Sequence, residues 1–363
     1  MNFVEGEQMI SELYGTIKDK KLLSEAYAVV FVYNEEDLIE DDEHASECIT
    51  SVEKDMIINS FRRSVQYVYH INGENAFIKT LPKIKKKHKY IFVYSMAQNL
   101  NGVGRRSLIP LLCEHYKLVN IGSGFLPSVL SGDKKLMYTL IKPYLKGNIP
   151  YTIYVDKLTN LKNILKELEY KKYILKPNDE SASIGVELIE YTAADRENIL
   201  MQLTAYQKKY SEFCIQEYIH GPEIEVPLLF YKQKFYCPGC VEIINSNPAG
   251  YLDYDTVKMD AYSFTEYKEK LSADIIKCAK KAAKVLGFNT ICRIDFKIDH
   301  SIPYIIDIDA NPTISFHSST NYIFRERFND ESAVYRMLLF IGLEKAGLLK
   351  PSFDKTEQNR SFI

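Results

Sequence analysis

The chain has 363 residues, with 46 lysines and arginines against 48 aspartates and glutamates. That balance excludes a global electrostatic pull toward nucleic acid or an anionic membrane, and the length suits two or three domains. Seven scattered cysteines, an odd number, point to a reducing, cytoplasmic setting rather than a disulfide framework. No apolar run nears the ~20 residues of a membrane helix, and MNFVEGEQ lacks a signal-peptide pattern.

Residues 6–22 read as a short helix and AYAVVFVYN, 26–34, as a buried strand. A charged loop and a helix over about 47–63 lead to a second strand, VQYVYHI. A helix from Glu74 toward Lys87 leads to a third strand, KYIFVYSM, 89–96. The order β-α-β-α-β predicts a parallel, Rossmann-like sheet with helices on its faces. Ligands sit at the carboxyl ends of such strands. The loop AQNLNGVGRRS, which opens a helix Ser107–Tyr116, is therefore a candidate substrate loop. Arg105 and Arg106 at that helix start suit a carboxylate or phosphate. The basic run KIKKKHK, 83–89, reads as a solvated helix end, because no aromatic platform for bases accompanies it.

NIGSGFLPSVLSGDKKLMYTLIKPYL, from residue 120, is a turn and a helix before a new strand, IPYTIYV, which predicts a domain boundary near 125. KYILKPNDESASIGVELIE, 172–190, is strand, small-residue loop, strand. A lysine ending a strand beside backbone N–H groups in a turn suits phosphate. FCIQEYIHGPEIEVPLLFY, 213–231, is two strands around a Gly-Pro break. CPGC at Cys237–Cys240 reads as a turn: a redox dithiol belongs at a helix start and zinc needs a second pair. GYLDYDTVKMDAYSF, 250–264, reads as an irregular polar loop, and 266–286 as an amphipathic helix.

RIDFKIDHSIPYIIDIDANPTISFHSS, 293–319, reads as two strands joined by a turn at His300–Pro303. By alternation Ile294, Phe296 and Ile298 share one face, and Arg293, Asp295, Lys297 and Asp299 the other. On the second strand Ile306 and Ile308 oppose Asp307, Asp309 and Asn311. Aspartates are poor strand formers and like charges on facing strands repel. A divalent metal with oxygen ligands would neutralise them; a solvated polar face is the alternative. A closing helix spans 330–347, and the tail 351–363 reads as a loose end.

The R-I-D strand, the hairpin and the acid-x-Asn-Pro segment resemble the end of an ATP-grasp carboxylate–amine ligase, nearest to the D-alanine–D-alanine ligase family. The likeness covers roughly residues 89–325. It implies an ATP-grasp fold, α/β with α+β character in the ATP-binding part. The implied units are an N-terminal Rossmann-like domain at 1–125, a central subdomain at 126–212 and a C-terminal subdomain with the metal site at 213–363.

By the same resemblance Asp295, Asp309 and Asn311 hold Mg²⁺, or Mn²⁺ in its place. Lys134 and Lys176 contact ATP phosphates, with Ser181 and Ser183 in the phosphate loop. Gln216, Glu217 and Ile219 meet adenine and Glu223 the ribose. Lys258 in the lid reaches the transferred phosphate. Arg293 stabilises the tetrahedral intermediate, and Ser318, with Ser319 one residue on as the alternative, holds a substrate carboxylate. The implied reaction joins amino-acid or small-peptide substrates through an acyl phosphate, and dimers common in the family suggest a homodimer. A phosphotransferase on this fold and a non-catalytic nucleotide-binding module are the alternatives. The family has Glu at position 309, acids at 105 and 106, and an aromatic at 259. Here Asp309, on a shorter arm, implies a shifted metal or recruitment of Asp307, while Arg105, Arg106 and Met259 favour another amino acid or peptide over D-alanine as substrate.

Overall fold

The computed structural model describes residues 3–36, 45–98, 102–245, 247 and 250–348. The expected loose tail at 351–363, residues 37–44 of the charged loop and residues 99–101 of the substrate loop lie outside that set.

Strands β1 (Tyr27–Tyr33), β2 (Val68–Asn72), β3 (Tyr90–Ser95) and β4 (Val119–Asn120) form a parallel sheet in the order β2-β1-β3-β4. The sequence YAVVFVY is covered on both faces, as a central parallel strand should be. Val29, Phe31 and Tyr33 pack with the helix Ser51–Arg62 and the last helix, Ala333–Lys345. Val30 and Val32 face the other way, onto Phe77, Leu81 and Ile84 of the helix Glu74–Lys87. The helix expected from 47 starts at Ser51, because Thr50 and Glu53 form a capping box in which each side chain bonds the other's backbone N–H.

A second, antiparallel sheet contains β5 (Thr152–Val155), β6 (Lys172–Pro177), β7 (Glu187–Glu190) and β8 (Phe213–Glu217), in the order β5-β8-β6-β7. Because β8 pairs with both β5 and β6, a unit beginning at 213 would divide this sheet.

The third sheet runs β12-β11-β9-β13-β14, with β10 (Lys234–Tyr236) paired to β9 (Glu223–Tyr231). Its other members are β11 (Cys240–Asn245), β12 (Tyr262–Tyr267), β13 (Ile291–Asp299) and β14 (Ile302–Asp309). Ile224, Val226 and Leu228 of β9 point into a core shared with Ile275, Ala279, Ala282 and Ala283 of the helix Ser272–Val285. Glu223 and Glu225 consequently leave the opposite face. The helix expected from 266 starts at Ser272, because Tyr262–Tyr267 alternates as a strand and pairs with β11. CPGC is the turn between β10 and β11, with both thiols free and buried.

The 293–309 hairpin is antiparallel and turns through His300 and Ser301, both left-handed (φ 48° and 64°), as a two-residue turn matching strand twist requires. Its facing departs from simple alternation. The register runs Asp295 opposite Asp307, then Phe296 opposite Ile305, so Ile306 is the extra residue of a β-bulge. Ile305 and Ile308 are buried, whereas Ile306, expected beside Ile308, lines a cleft.

Candidate active site

A cleft of about 600 Å³ opens between the second and third sheets and is bordered by the amino-terminal end of the helix Ser51–Arg62. At one end β8 crosses to β9 through residues 218–222. Gly221 sits at φ 102°, and a Cβ there would lie 2.1 Å from the Ile298 carbonyl oxygen, so only glycine fits. Gln216, Glu217, Ile219 and Glu223 all border the cleft here. The Gln216 amide donates to Thr152 Oγ1 (3.3 Å), and the Glu217 carboxylate pairs with Lys171 (2.8 Å). Burial raises the Glu223 pKa, opposed mainly by the Lys297 ammonium 3.9 Å away. Lys297 also donates to the Gly221 and Gly250 carbonyls (3.3 and 2.7 Å), tying the crossing to the loop before the lid.

Farther in, Lys176 ends β6 and donates to the Ile306 carbonyl (2.9 Å), which also accepts from Tyr138 Oη (2.7 Å). The bulge turns this carbonyl toward the lysine. Burial pushes the Lys176 pKa down, with Asp307 opposing. Asp307 is pushed up by burial, but Lys134 and Lys176 outweigh that and hold its carboxyl below the usual range. Lys134 opens a helix capped by Asp133 (Leu136 N–H to Asp133 Oδ1, 2.9 Å), and its ammonium donates to the Glu180 carbonyl.

The loop between β6 and β7 carries Ala182 and Ser183 in left-handed backbone (φ 50° and 58°). Two adjacent non-glycine residues in that region store strain of the sort found at ligand clamps. Ser181 donates its N–H (3.0 Å) and its hydroxyl to Glu47. Arg105 turns onto Glu47 (2.6 Å), Glu180 (3.1 Å) and the Asp179 carbonyl (2.7 Å), so it is buried in ion pairs and does not line the cleft. Arg106 does line it, donating to Gln98 Oε1 (2.7 Å) and Ser181 Oγ (2.9 Å), with Asp309 3.7 Å away.

On the lid, Asp253 caps a short helix, Tyr254–Lys258, where an irregular loop is expected (Thr256 N–H to Asp253 Oδ1, 2.8 Å). Lys258 ends this helix and lines the cleft. Met259, expected beside the substrate, is 69% exposed and lies outside the lining. Opposite, Ser318 caps the helix Ser319–Phe328 (Asn321 N–H to Ser318 Oγ, 3.2 Å) and donates to the Ser315 carbonyl (3.0 Å). His317 packs against the rings of Tyr262 and Phe264, 3.8 Å from Asp260.

The hairpin supplies the charged floor. Arg293 grips Asp295 through two bonds of 2.8 Å and approaches Glu225 at 3.4 Å. The Asp309 carboxylate accepts from the Asn311 N–H (2.8 Å). The Asn311 amide donates to the Ser95 carbonyl (3.0 Å) at the end of β3, and its Oδ1 is buried without a partner. This orphaned acceptor, with the oxygens of Asp295, Asp307 and Asp309, is a donor set that suits a hard divalent cation. Among the described residues no three His, Cys, Asp or Glu side chains stand close enough to hold a metal by themselves. The arrangement fits an ion held by one or two carboxylates and completed by phosphate oxygens.

Every cofactor-binding and catalytic position expected from the sequence borders this one cleft, as do Asp295 and Asp309; Asn311 lies behind it. Glu47, Glu225 and Tyr138 were not anticipated. Glu225 has a local signal, two residues after Glu223 on one strand face; Glu47 has none, being brought in from far along the chain.

Three antiparallel and parallel sheets around such a cleft make this an ATP-grasp fold with an N-terminal parallel-sheet domain. Residues 152–330 match the family model described as the D-ala D-ala ligase C-terminus. The chain resembles the D-alanine–D-alanine ligases along most of its length. It is 25% identical to the D-alanine–D-alanine ligase of Pelagibacter ubique over 322 residues, 85% of each protein. It is 27% identical to that of Flavobacterium psychrophilum over 213 residues, 56% of this chain and 62% of the relative, so that match spans less than two thirds of the relative's length. The crystal structure of the Bacillus anthracis ligase complexed with ATP superposes with a TM-score of 0.66 at 16% identity, covering 88% of this chain and 98% of that one. A D-Ala:D-Ser ligase from Enterococcus faecalis gives 0.64 at 16% identity, covering 87% and 99%. Among the described residues no helix is long and apolar enough to cross a membrane.

Proposed function

We propose that the protein is an ATP-dependent carboxylate–amine ligase acting on amino acids or small peptides through an acyl phosphate. The observation that carries this is the convergence of Lys134, Lys176, Lys258 and Arg293 with Asp295 and Asp309 in one cleft that also reaches the Gln216–Ile219 crossing and Glu223. Those relatives are ligases by name, which supports the reading.

In this reading Gln216, Glu217 and Ile219 receive adenine and Glu223 the ribose. Lys134, Lys176 and Lys258 orient the triphosphate, with Ser181 and Ser183 lending loop contacts. Asp295, Asp309 and Asn311 would hold Mg²⁺, or Mn²⁺, which when bound neutralises charge on the phosphates. The substrate carboxylate attacks the γ-phosphate, and the amine then attacks the acyl carbonyl. Arg293 stabilises the resulting oxyanion as a preorganised cation, and the lid carrying Lys258 excludes water from the intermediate. Ser318, with both hydrogen-bonding roles already engaged, would contribute to carboxylate binding chiefly by fixing the turn. Arg106, a cation where the family has an acid, supports a substrate other than D-alanine. We further propose three units, with the boundary between the second and third after β8, and a cytoplasmic enzyme that pairs with itself.

The test is phosphate release from Mg-ATP with single and paired amino acids, D-alanine included, followed by mass spectrometry. Phosphate with a condensed product is expected. A phosphorylated acceptor without free phosphate would assign a phosphotransferase instead, and nucleotide binding without turnover a binding module.

A further inference from the structure

Arg293 and Asp295 are two apart on β13 and leave the same face. The guanidinium engages both carboxylate oxygens of Asp295, Nε to Oδ1 and Nη2 to Oδ2, each at 2.8 Å. The proposed function also gives Asp295 to a divalent cation. Each oxygen keeps a further lone pair, but two cations on one carboxylate repel each other and share its single negative charge, so a bound divalent cation loosens the hold on the guanidinium. If Asp295 turned away with no replacement, Arg293 would remain mostly buried and unpaired, which is strongly unfavourable.

A second carboxylate stands ready. Glu225 on β9 is the direct cross-strand partner of Asp295. Its Oε1 lies 3.4 Å from Arg293 Nη2, within ion-pair reach but longer than a charge-assisted hydrogen bond. Its side chain is 8% exposed and borders the cleft. Among the described residues Glu225 and Asp295 are the two carboxylates within 4.0 Å of this guanidinium.

We propose that Glu225 is the positioning residue for Arg293. As the Asp295 oxygens turn to a divalent cation, the guanidinium shifts from Asp295 onto Glu225, closing the 3.4 Å gap. Glu225 keeps the arginine neutralised and aimed into the cleft, and so makes Asp295 available. The inference rests on the nucleotide and divalent-cation reading given above. It differs from a role for Glu225 as a ligand, because its effect on cation binding runs through Arg293.

The test is a double-mutant cycle on ADP affinity, measured by titration calorimetry on the full chain in EDTA and in Mg²⁺. The quantity read is the factor by which Mg²⁺ tightens ADP. In wild type that factor exceeds one. Glu225→Gln should cut it about tenfold, the scale of one lost charge-assisted contact, and leave ADP affinity in EDTA unchanged. Arg293→Met removes the need for a partner, so adding Glu225→Gln to it should change the factor by less than about twofold. An equal loss in both backgrounds overturns the proposal and makes Glu225 a ligand. A loss of ADP affinity in EDTA overturns it in favour of a structural role. If Glu225→Gln does not fold, Glu225→Asp, which keeps the charge on a shorter arm, is read the same way. Wild type that binds ADP without any Mg²⁺ effect overturns the cation reading and this inference together; wild type that does not bind ADP overturns the nucleotide reading itself.

Discussion

Replacing Lys176 by methionine separates function from stability. Lys176 keeps its ammonium against the Ile306 carbonyl at 2.9 Å, in surroundings whose burial pushes its pKa down. Removing a cation in that position relieves desolvation, and methionine fills nearly the same volume. The groups left behind are not stranded, since Ile306 O keeps Tyr138 and Asp307 keeps Lys134. Unfolding free energy should therefore change by no more than about 1 kcal/mol. Nucleotide binding should behave differently. A charge-assisted bond to a phosphate is worth ~1.5–3 kcal/mol, so ATP should bind roughly ten to a hundred and fifty times more weakly. Urea unfolding and calorimetric titration with Mg-ATP measure the two effects on one preparation. Unchanged ATP affinity would remove Lys176 from the phosphate site. A loss of several kcal/mol in stability would make it a structural lysine.

Three further outcomes follow from the geometry. Ile305→Ala should cost about 2–5 kcal/mol and Ile306→Ala under about 1.5 by urea unfolding, because the bulge buries the first and not the second; the reverse order would restore simple alternation. Gly221→Ala should destabilise by more than about 2 kcal/mol in thermal unfolding, since φ is 102° and the new Cβ meets the Ile298 carbonyl; wild-type stability would refute the close approach. Burial raises the Glu47 pKa, but Arg106, Arg105 and Ser181 outweigh it and hold the carboxyl low. Its stabilising contribution is present above its ordinary value of 4.5 and lost as pH falls below that through the folded value. Glu47→Gln should flatten that acid limb in pH-dependent unfolding, and an unchanged limb would exclude the contribution.

What the sequence makes legible follows from how local each signal is. YAVVFVY is an unbroken apolar run and Ile291–Asp299 alternates, so both strands, and the facing of the second, could be read directly. Lys134 is expected only through the family resemblance, because a lysine at a helix start is otherwise an ordinary surface residue, whereas Lys176 also carries a local signal, a strand end before a small-residue loop. The bulge at Ile306 was not legible, since an extra residue in one strand is defined only against its partner. Arg105 and Arg106 illustrate the same limit. They are adjacent in sequence, yet one is consumed by Glu47 and Glu180 while its neighbour faces the cleft. Which arginine does which depends on a residue nearly sixty positions away, and no spacing rule encodes that.

The last helix, Ala333–Lys345, covers one face of the first sheet, where Phe31, Phe92 and Tyr94 meet Tyr335 and Leu339. A ribosome making this protein completes β3 roughly 240 residues before that helix, an interval of about 12–50 s at ordinary elongation rates. During that time the helix Ser51–Arg62 covers part of the nascent sheet's aromatic face, and the rest waits for the helix Ala333–Lys345. The first domain to be made is thus the last to be finished. A chain stopped before residue 333 would keep its cleft-forming strands and still present this open face to chaperones and to other chains.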